Sequence, residues 1–340
     1  MIKLFKYNLD GNYLQRSHSY ELFKKEDERY TTMINVISKY KDVYDDIAFI
    51  ECDSLILKCL QYIKTSKFSQ SYDKVILWAS ELYWDSCDDG DYINKLLDDN
   101  VHIIFNFFRK DSPFNLKSKS YCSIGSFGDI TQMYLNQYHF DMDIDKKYNL
   151  ISKFGRPNPH RMEIYNELKD LPNIIYSINN FDGYEDEGYT FKGITFESEK
   201  KKKGDFKSNS LPDEDFESFA ECITETRLSQ FEESNRLISA TEKTLKGFMF
   251  KRPNITFVQP EVFLFLENFG FQFPNYFGLD SKKEQLEICK EITLLSKEKC
   301  KEITLQHKDV FENNYNTLLK FLEHHRNKFD DIISEIIYDN

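Results

Sequence analysis

Runs of strand length, rich in β-branched and aromatic residues, recur along this chain, and each is followed by a stretch whose apolar residues fall at helical spacing. That alternation confines the fold to the α/β class, with strands buried on both faces of a sheet. Lys74-Val75-Ile76-Leu77-Trp78-Ala79 predicts a buried strand ending at Ser80-Glu81, residues 93–99 a helix, and residues 101–107 the next strand. Upstream, residues 55–63 are apolar at helical spacing. Residues 110–120 carry no pattern and read as loop, and 130–138 as a helix.

The alternation restarts in the second half. Residues 148–154 predict a short strand, Gly155-Arg156-Pro157-Asn158 a turn, 159–169 a helix and 173–177 another strand, together a βαβ unit. Asp, Glu, Gly and Lys dominate 179–215, which reads as a long surface excursion. Within it Lys200-Lys201-Lys202-Lys203-Gly204 is a solvated loop, or else a contact for an anionic acceptor. Residues 216–224 predict a strand that ends at Glu225, and 254–258 one more short strand. Between them a helix is closed by Lys251-Arg252, which suit its C-terminal end, and by Pro253. Pro260 opens a helix that stops before Gly270. From Ser281 onward Leu318, Leu319, Leu322, Ile332, Ile333 and Ile336 continue a helical pattern. The layout predicts two Rossmann-like α/β domains facing a central cleft, residues 1–147 and 148–280, with a helical tail over 281–340.

A length of 340 residues supports two cores. The formal charge of −12 speaks against a general polyanion-binding surface, because nucleic-acid affinity comes largely from phosphate neutralisation by Lys and Arg. The 7 cysteines are scattered, odd in number and without CxxC spacing, so neither a zinc site nor a disulfide framework is expected and the setting reads as cytoplasmic. No stretch reaches about 18 consecutive apolar residues, so no membrane span is expected. GxGxxG, GxxxxGK[ST] and HExxH are absent from the sequence, which argues against a dinucleotide dehydrogenase, a P-loop ATPase and a zincin. Asp141-Met142-Asp143 can hold a divalent metal that bridges a diphosphate, or can be a solvated linker; the second reading is preferred and no metal is assigned.

Two helices of the second half begin with the wrong charge. Asn158-Pro159-His160-Arg161 opens one, with Asn158 as N-cap, and Ser239-Ala240-Thr241-Glu242-Lys243 opens the other in capping-box form. A helix N-terminus carries about half a positive charge, so Arg161 and Lys243 each cost roughly 0.3–1 kcal/mol where exposed unless an anion lies nearby. A phosphate reverses the sign. Both helices follow predicted strands, so cation, helix N-terminus and sheet end coincide, as they do where α/β proteins hold nucleotide phosphates. Screening of both cations by solvent is the plainer alternative.

The segment from Glu221 to Thr226, followed by Ser239-Ala240-Thr241-Glu242-Lys243-Thr244-Leu245-Lys246, resembles the donor-binding signature of fucosyltransferase-like GT-B glycosyltransferases, in particular those of phages and large DNA viruses. The phrase Phe265-Leu266-Glu267-Asn268-Phe269-Gly270-Phe271 and the upstream Gly155-Arg156-Pro157-Asn158-Pro159-His160-Arg161 fit the same pattern, and the likeness covers roughly residues 148–280. The chain departs from it at Arg252-Pro253, after the second helix, and at Gly278-Leu279-Asp280, where an acidic phrase is reduced. The resemblance implies transfer of a sugar from a UDP- or GDP-sugar to a hydroxyl on a glycan, a protein or a modified nucleic-acid base, without an obligatory metal and with inversion. By this likeness Arg161 and Lys243 grip the donor diphosphate with help from Arg156, Glu225 lies near the nucleotide or sugar, and Glu242 meets ribose or sugar hydroxyls. Glu81, at the end of the 74–79 strand, resembles the Glu-bearing strand end of the acceptor domain and is the expected general base, with Asp85 and Asp129 as alternates and Tyr83 and Trp84 as stacking surfaces. A non-catalytic interaction protein on the same scaffold is the alternative. Glu242 as a simple capping-box residue and Glu225 as a solvated strand end are the bland readings of those two positions.

Overall fold

The computed structural model describes residues 2–8, 13–16, 31–40, 42–43, 45–52, 56–79, 90–106, 120–123, 125–142, 145–155, 159–178, 211, 213–225, 241–258, 260–273 and 282–338. The chain divides into two compact units. One is built on Met1–Ile130 and Leu322–Asn340, the other on Thr131–Asn235 and Ser239–Phe321. Among the described residues no helix is long and apolar enough to cross a membrane.

In the first unit the elements run β1 (Ile2–Asn8), β2 (Tyr13–Arg16), α1 (Thr31–Lys39), β3 (Ile47–Glu51), α2 (Ile56–Ser66), β4 (Lys74–Trp78), α3 (Gly90–Leu96), β5 (Val101–Asn106), β6 (Ser120–Ser123) and α4 (Gly125–Gln137). The sheet order is β2-β1-β3-β4-β5-β6, with β2 antiparallel to β1 and every other pairing parallel. The apolar 74–79 run is the reason: Val75 to Trp78 are all buried, and their register against Ala48–Glu51 and Val101–Ile104 places them mid-sheet. Because β3, β4 and β5 follow one another in a single direction, right-handed crossovers put α2 and α3 on the same face. The chain enters α1 from the antiparallel β2, so this rule does not bind it, and α1 covers the opposite face. There Met33, Ile34, Val36 and Ile37 join Ile2, Leu4, Phe49, Ile76 and Trp78 in one core with Phe329, Ile332, Ile333, Ile336 and Ile337 from the chain's last helix. Lys74 Nζ holds that helix end by donating to the carbonyls of Ile336 at 2.8 Å and Ile337 at 2.9 Å.

The second unit contains β7 (Tyr148–Gly155), α5 (Pro159–Leu168), β8 (Ile174–Ile178), α6 (Asp213–Phe216), β9 (Ser218–Thr224), α7 (Glu242–Met249), β10 (Asn254–Phe257), α8 (Pro260–Phe269), α9 (Lys282–Leu294), α10 (Lys297–Gln306) and the start of α11 (Lys308–Tyr338). Its four strands are all parallel in the order β10-β9-β7-β8. One face packs Leu150, Phe154, Ala220, Cys222, Ile255 and Phe257 against Met162, Ile164 and Leu168 of α5 and Cys289 and Ile292 of α9. Every residue of β9 is buried, as befits a strand between two neighbours and covered on both faces.

The unit boundary falls after Ile130 rather than at 147, and an aromatic cluster gives the physical reason. Phe140 packs on Phe216 at 5.9 Å and Phe250 at 5.1 Å, and Tyr138 lies 5.7 Å from Phe216, so the end of α4 and the chain beyond it belong to the second core. The expected tail is not a third body. Its residues up to Phe321 belong to the second unit, and the apolar face of α11 beyond that point belongs to the first. The helix opened by Pro260 stops at Phe269 as expected, with Gly270 at φ 113° in the region that glycine tolerates.

Candidate functional site

The order β10-β9-β7-β8 contains a reversal. From β7 the chain crosses to β8 on one side, and β9 lies on the other side before the chain moves away to β10. Right-handed crossovers in opposite directions place α5 and α7 on opposite faces, so both helices start at the carboxyl ends of β7 and β9, where open α/β sheets bind ligands. The packing agrees: α5 sits in the core with Leu150 and Phe154, whereas Gly247 of α7 faces the Ile223 side chain. A Cβ on Gly247 would come within 2.6 Å of Ile223 Cδ1, which shows how tightly α7 lies on β9.

The end of β9 ties the two helix starts together. Glu225 is 1% exposed, and its Oε1 accepts from Thr241 N at 2.9 Å, Thr244 N at 3.3 Å and Thr244 Oγ1 at 2.6 Å, while Oε2 accepts from Thr241 Oγ1 at 2.8 Å. A carboxylate from the strand therefore satisfies orphan N–H groups of α7 and meets the positive end of its dipole. From the other helix, Arg161 Nη2 donates to the Thr224 carbonyl at 2.8 Å and His160 Nε2 donates to the Glu225 carbonyl at 2.7 Å. Arg161 is 2% exposed and His160 is buried. The predicted pair of cation-bearing helix starts thus converges on two consecutive residues, Thr224 and Glu225.

The local details differ from the expected capping box. Thr241, in extended conformation, is the N-cap of α7 and its side chain accepts from Lys243 N at 3.3 Å; Ser239, the expected cap, lies outside the described residues. Glu242 becomes the first helical residue. The reason is that Glu225 already performs, from the strand, the task a capping-box glutamate performs from within the helix. Lys243 Nζ lies 3.3 Å from both Glu242 Oε1 and Thr241 Oγ1, so its charge is met locally. Burial alone would raise the Glu242 carboxyl, but the Lys243 ammonium and the helix backbone outweigh it and hold it below the ordinary carboxylate range.

Several expected residues fall elsewhere. Glu81, Tyr83, Trp84, Asp85, Arg156, Asn158, Asp143 and the 200–203 lysines lie outside the described residues. Asp129 is buried on α4 in the first unit. Asp141 is exposed and pairs with His139 at 3.1 Å. Among the described residues no group of three or more His, Cys, Asp and Glu side chains is placed to hold a metal ion.

A buried ion network, beside this point in the same unit, went unread in the sequence. Asp215 is fully buried, and its Oδ1 lies 2.5 Å from Lys153 Nζ on β7. Glu221, in the middle of β9, takes Arg252 Nη2 at 2.6 Å and has Lys153 Nζ at 3.7 Å. Arg252 was expected to serve the C-terminal end of α7. It turns inward instead, donating also to the carbonyls of Asp215 and Ser218 and stacking 4.2 Å from the Phe250 ring, because two carboxylates left buried without it would be far costlier than a solvated helix end. Burial would raise the Asp215 carboxyl, but Lys153, Lys246 and Arg252 outweigh it and hold it at about 2. The available signal was a lysine and a glutamate inside apolar strand runs, at Lys153 and Glu221.

No family model matches the chain, and no curated protein matches it.

Proposed function

We propose that the second unit binds a nucleotide diphosphate sugar at the end of β9 and that the chain is a glycosyltransferase, passing the sugar to a hydroxyl on a glycan, a protein or a modified nucleic-acid base. The GT-B arrangement, with an acceptor-side first unit, is part of the same proposal. The observation that carries it is the convergence of two helix N-termini, each with a cation in its first turn, on Thr224 and Glu225 at the strand-order reversal.

In this reading Glu225 is a positioning residue. It fixes the N-terminus of α7 so that the positive end of its dipole and Lys243 face the diphosphate, which needs stabilisation as it leaves. Arg161 and His160 hold the start of α5 against the same strand end, and Arg156, which precedes that helix in the sequence, joins the grip. Glu81 takes the proton of the attacking acceptor hydroxyl.

The alternative is a non-catalytic α/β protein, and one observation favours it: Lys243 is paired with Glu242, and the Glu225 carboxylate is filled by its own helix. Isothermal titration of UDP, GDP and CMP into the full chain separates the two readings, followed by a donor-hydrolysis panel of UDP- and GDP-sugars. Binding of a nucleoside diphosphate with slow release of sugar supports the transferase. Absence of binding by all three nucleotides removes it.

A further inference from the structure

The ion network of the second unit has one cation too many. Arg252 pairs with Glu221, Lys153 with Asp215 and Lys243 with Glu242, at 2.6, 2.5 and 3.3 Å. Lys246 is the third cation on the two carboxylates Asp215 and Glu221, and the most loosely held. Its Nζ lies 3.7 Å from Asp215 Oδ2, beyond hydrogen-bond reach, and among the described residues no oxygen accepts a hydrogen bond from it. The Lys246 side chain is only 14% exposed, and its Nζ sits 5.5 Å from the centre of the Tyr134 ring. Asp215 Oδ2, buried with its residue fully enclosed, also has no hydrogen-bond partner among the described residues.

Three cations on two enclosed carboxylates leave a net positive charge, and a low-dielectric surrounding strengthens its attraction for a further anion. Two lysines flank one carboxylate and divide it unequally. Burial and the neighbouring Lys246 ammonium push Lys153 below its ordinary range, whereas at Lys246 burial is outweighed by Asp215 and Glu221, which keep it charged, above its ordinary range. Tyr134 supplies a neutral donor to the same space, since burial and the charges of Glu242 and Asp215 push its hydroxyl up to about 12 and keep it protonated.

The position is as telling as the charge. Lys153 stands two residues before the end of β7, and Lys246 follows Lys243 by one turn on α7, so the surplus charge lies against the strand-order reversal and beneath the helix start already described. We propose that Lys246, with Lys153 and the Tyr134 hydroxyl, holds a phosphate oxyanion of the ligand, and that this anion is what the surplus cation is built to meet. The proposal deepens the nucleotide reading by naming further phosphate-holding groups, and rests on that reading for the identity of the ligand.

Inorganic pyrophosphate, UDP and GDP titrated into the full-length wild type, Lys246→Met, Tyr134→Phe and Lys153→Met proteins test it. Pyrophosphate is expected to bind the wild type, about ten-fold or more weaker to Lys246→Met and a few-fold weaker to Tyr134→Phe, as befits one charged and one neutral hydrogen bond. Thermal melting without any anion gives an independent reading. Lys153→Met should melt below Lys246→Met, because Lys153 meets Asp215 at 2.5 Å whereas Lys246 stands 3.7 Å from it. Unchanged pyrophosphate affinity in both Lys246→Met and Tyr134→Phe, or no pyrophosphate binding by the wild type at millimolar concentration, overturns the inference. If UDP and GDP bind no better than pyrophosphate while Lys246 still governs affinity, the oxyanion site stands and the nucleotide reading falls. If UDP or GDP binds equally to Lys246→Met, the reverse holds.

Discussion

Replacing Glu225 by alanine removes a carboxylate that accepts four hydrogen bonds from the first turn of α7, two of them from backbone N–H groups of Thr241 and Thr244. Both residues are buried, so neither N–H gains water in exchange. A buried donor left unmet costs about 1–3 kcal/mol, and Thr244 N, at the longer distance, belongs at the low end of that range. Loss of the negative charge at a partly enclosed helix N-terminus adds about 1 kcal/mol. The Thr241 hydroxyl keeps its role as N-cap and limits the damage. The sum is about 3–5 kcal/mol for Glu225→Ala. Glu225→Gln keeps an acceptor at the Oε1 position and loses the charge, so about 1–2 kcal/mol is expected. Urea denaturation followed by circular dichroism measures the loss, and hydrogen exchange at the α7 amides assigns it to that helix. A Glu225→Ala protein within 1 kcal/mol of wild type (roughly the least a single lost buried donor costs), or losses equal for Ala and Gln, would refute the reasoning that the strand carboxylate anchors the helix.

Gly247→Ala should destabilise by about 1–3 kcal/mol despite the better helix propensity of alanine, because the new Cβ meets Ile223 at 2.6 Å and Asn254 at 2.9 Å; an unchanged melting temperature contradicts this. His325 is buried in the first unit and pushed down to about 3 by burial, with Lys328 and His324 adding to it. The unfolded chain then binds the extra proton below about pH 6.5, so stability is full above that pH and falls by up to about 1.4 kcal/mol per unit as pH drops toward 3; His325→Leu should flatten that slope in a pH series of urea midpoints. Asp215, held at about 2 against an ordinary 3.8, stabilises the fold above pH 4 by about 2 kcal/mol, and that contribution disappears as pH falls through its folded value. Asp215→Asn should lose this acid dependence and be destabilised at neutral pH, since Lys153 is left without its carboxylate.

The α/β class was legible because parallel strands covered on both faces demand apolar runs, and 74–79 and 101–107 are such runs. The β1 strand was not, since Lys3 and Lys6 interrupt its apolar residues and it lies beside an antiparallel edge strand, where alternation resembles loop. The start of α5 was readable from Pro159 and Arg161, and that of α7 to within two residues, since a cap was expected at Ser239 and Thr241 serves as the cap. What spacing cannot convey is strand order, and the reversal that brings those starts together is a property of long-range pairing alone. The role of Glu225 was hidden for a similar reason: a glutamate sixteen positions before its threonine partner looks like a solvated strand end until the fold closes the distance. Arg252 misled because a cation after a helix has an inexpensive local explanation, whereas its true partners, Asp215 and Glu221, sit 37 and 31 positions away.

The proposed nucleoside diphosphate lies at the carboxyl ends of β7 and β9. Hydrogen exchange of the full chain with and without saturating UDP and GDP tests it most directly. Added protection is expected at the first-turn amides of α5 and α7, around His160 to Met162 and Lys243 to Leu245. Protection confined to other elements, or none with either nucleotide, would contradict it.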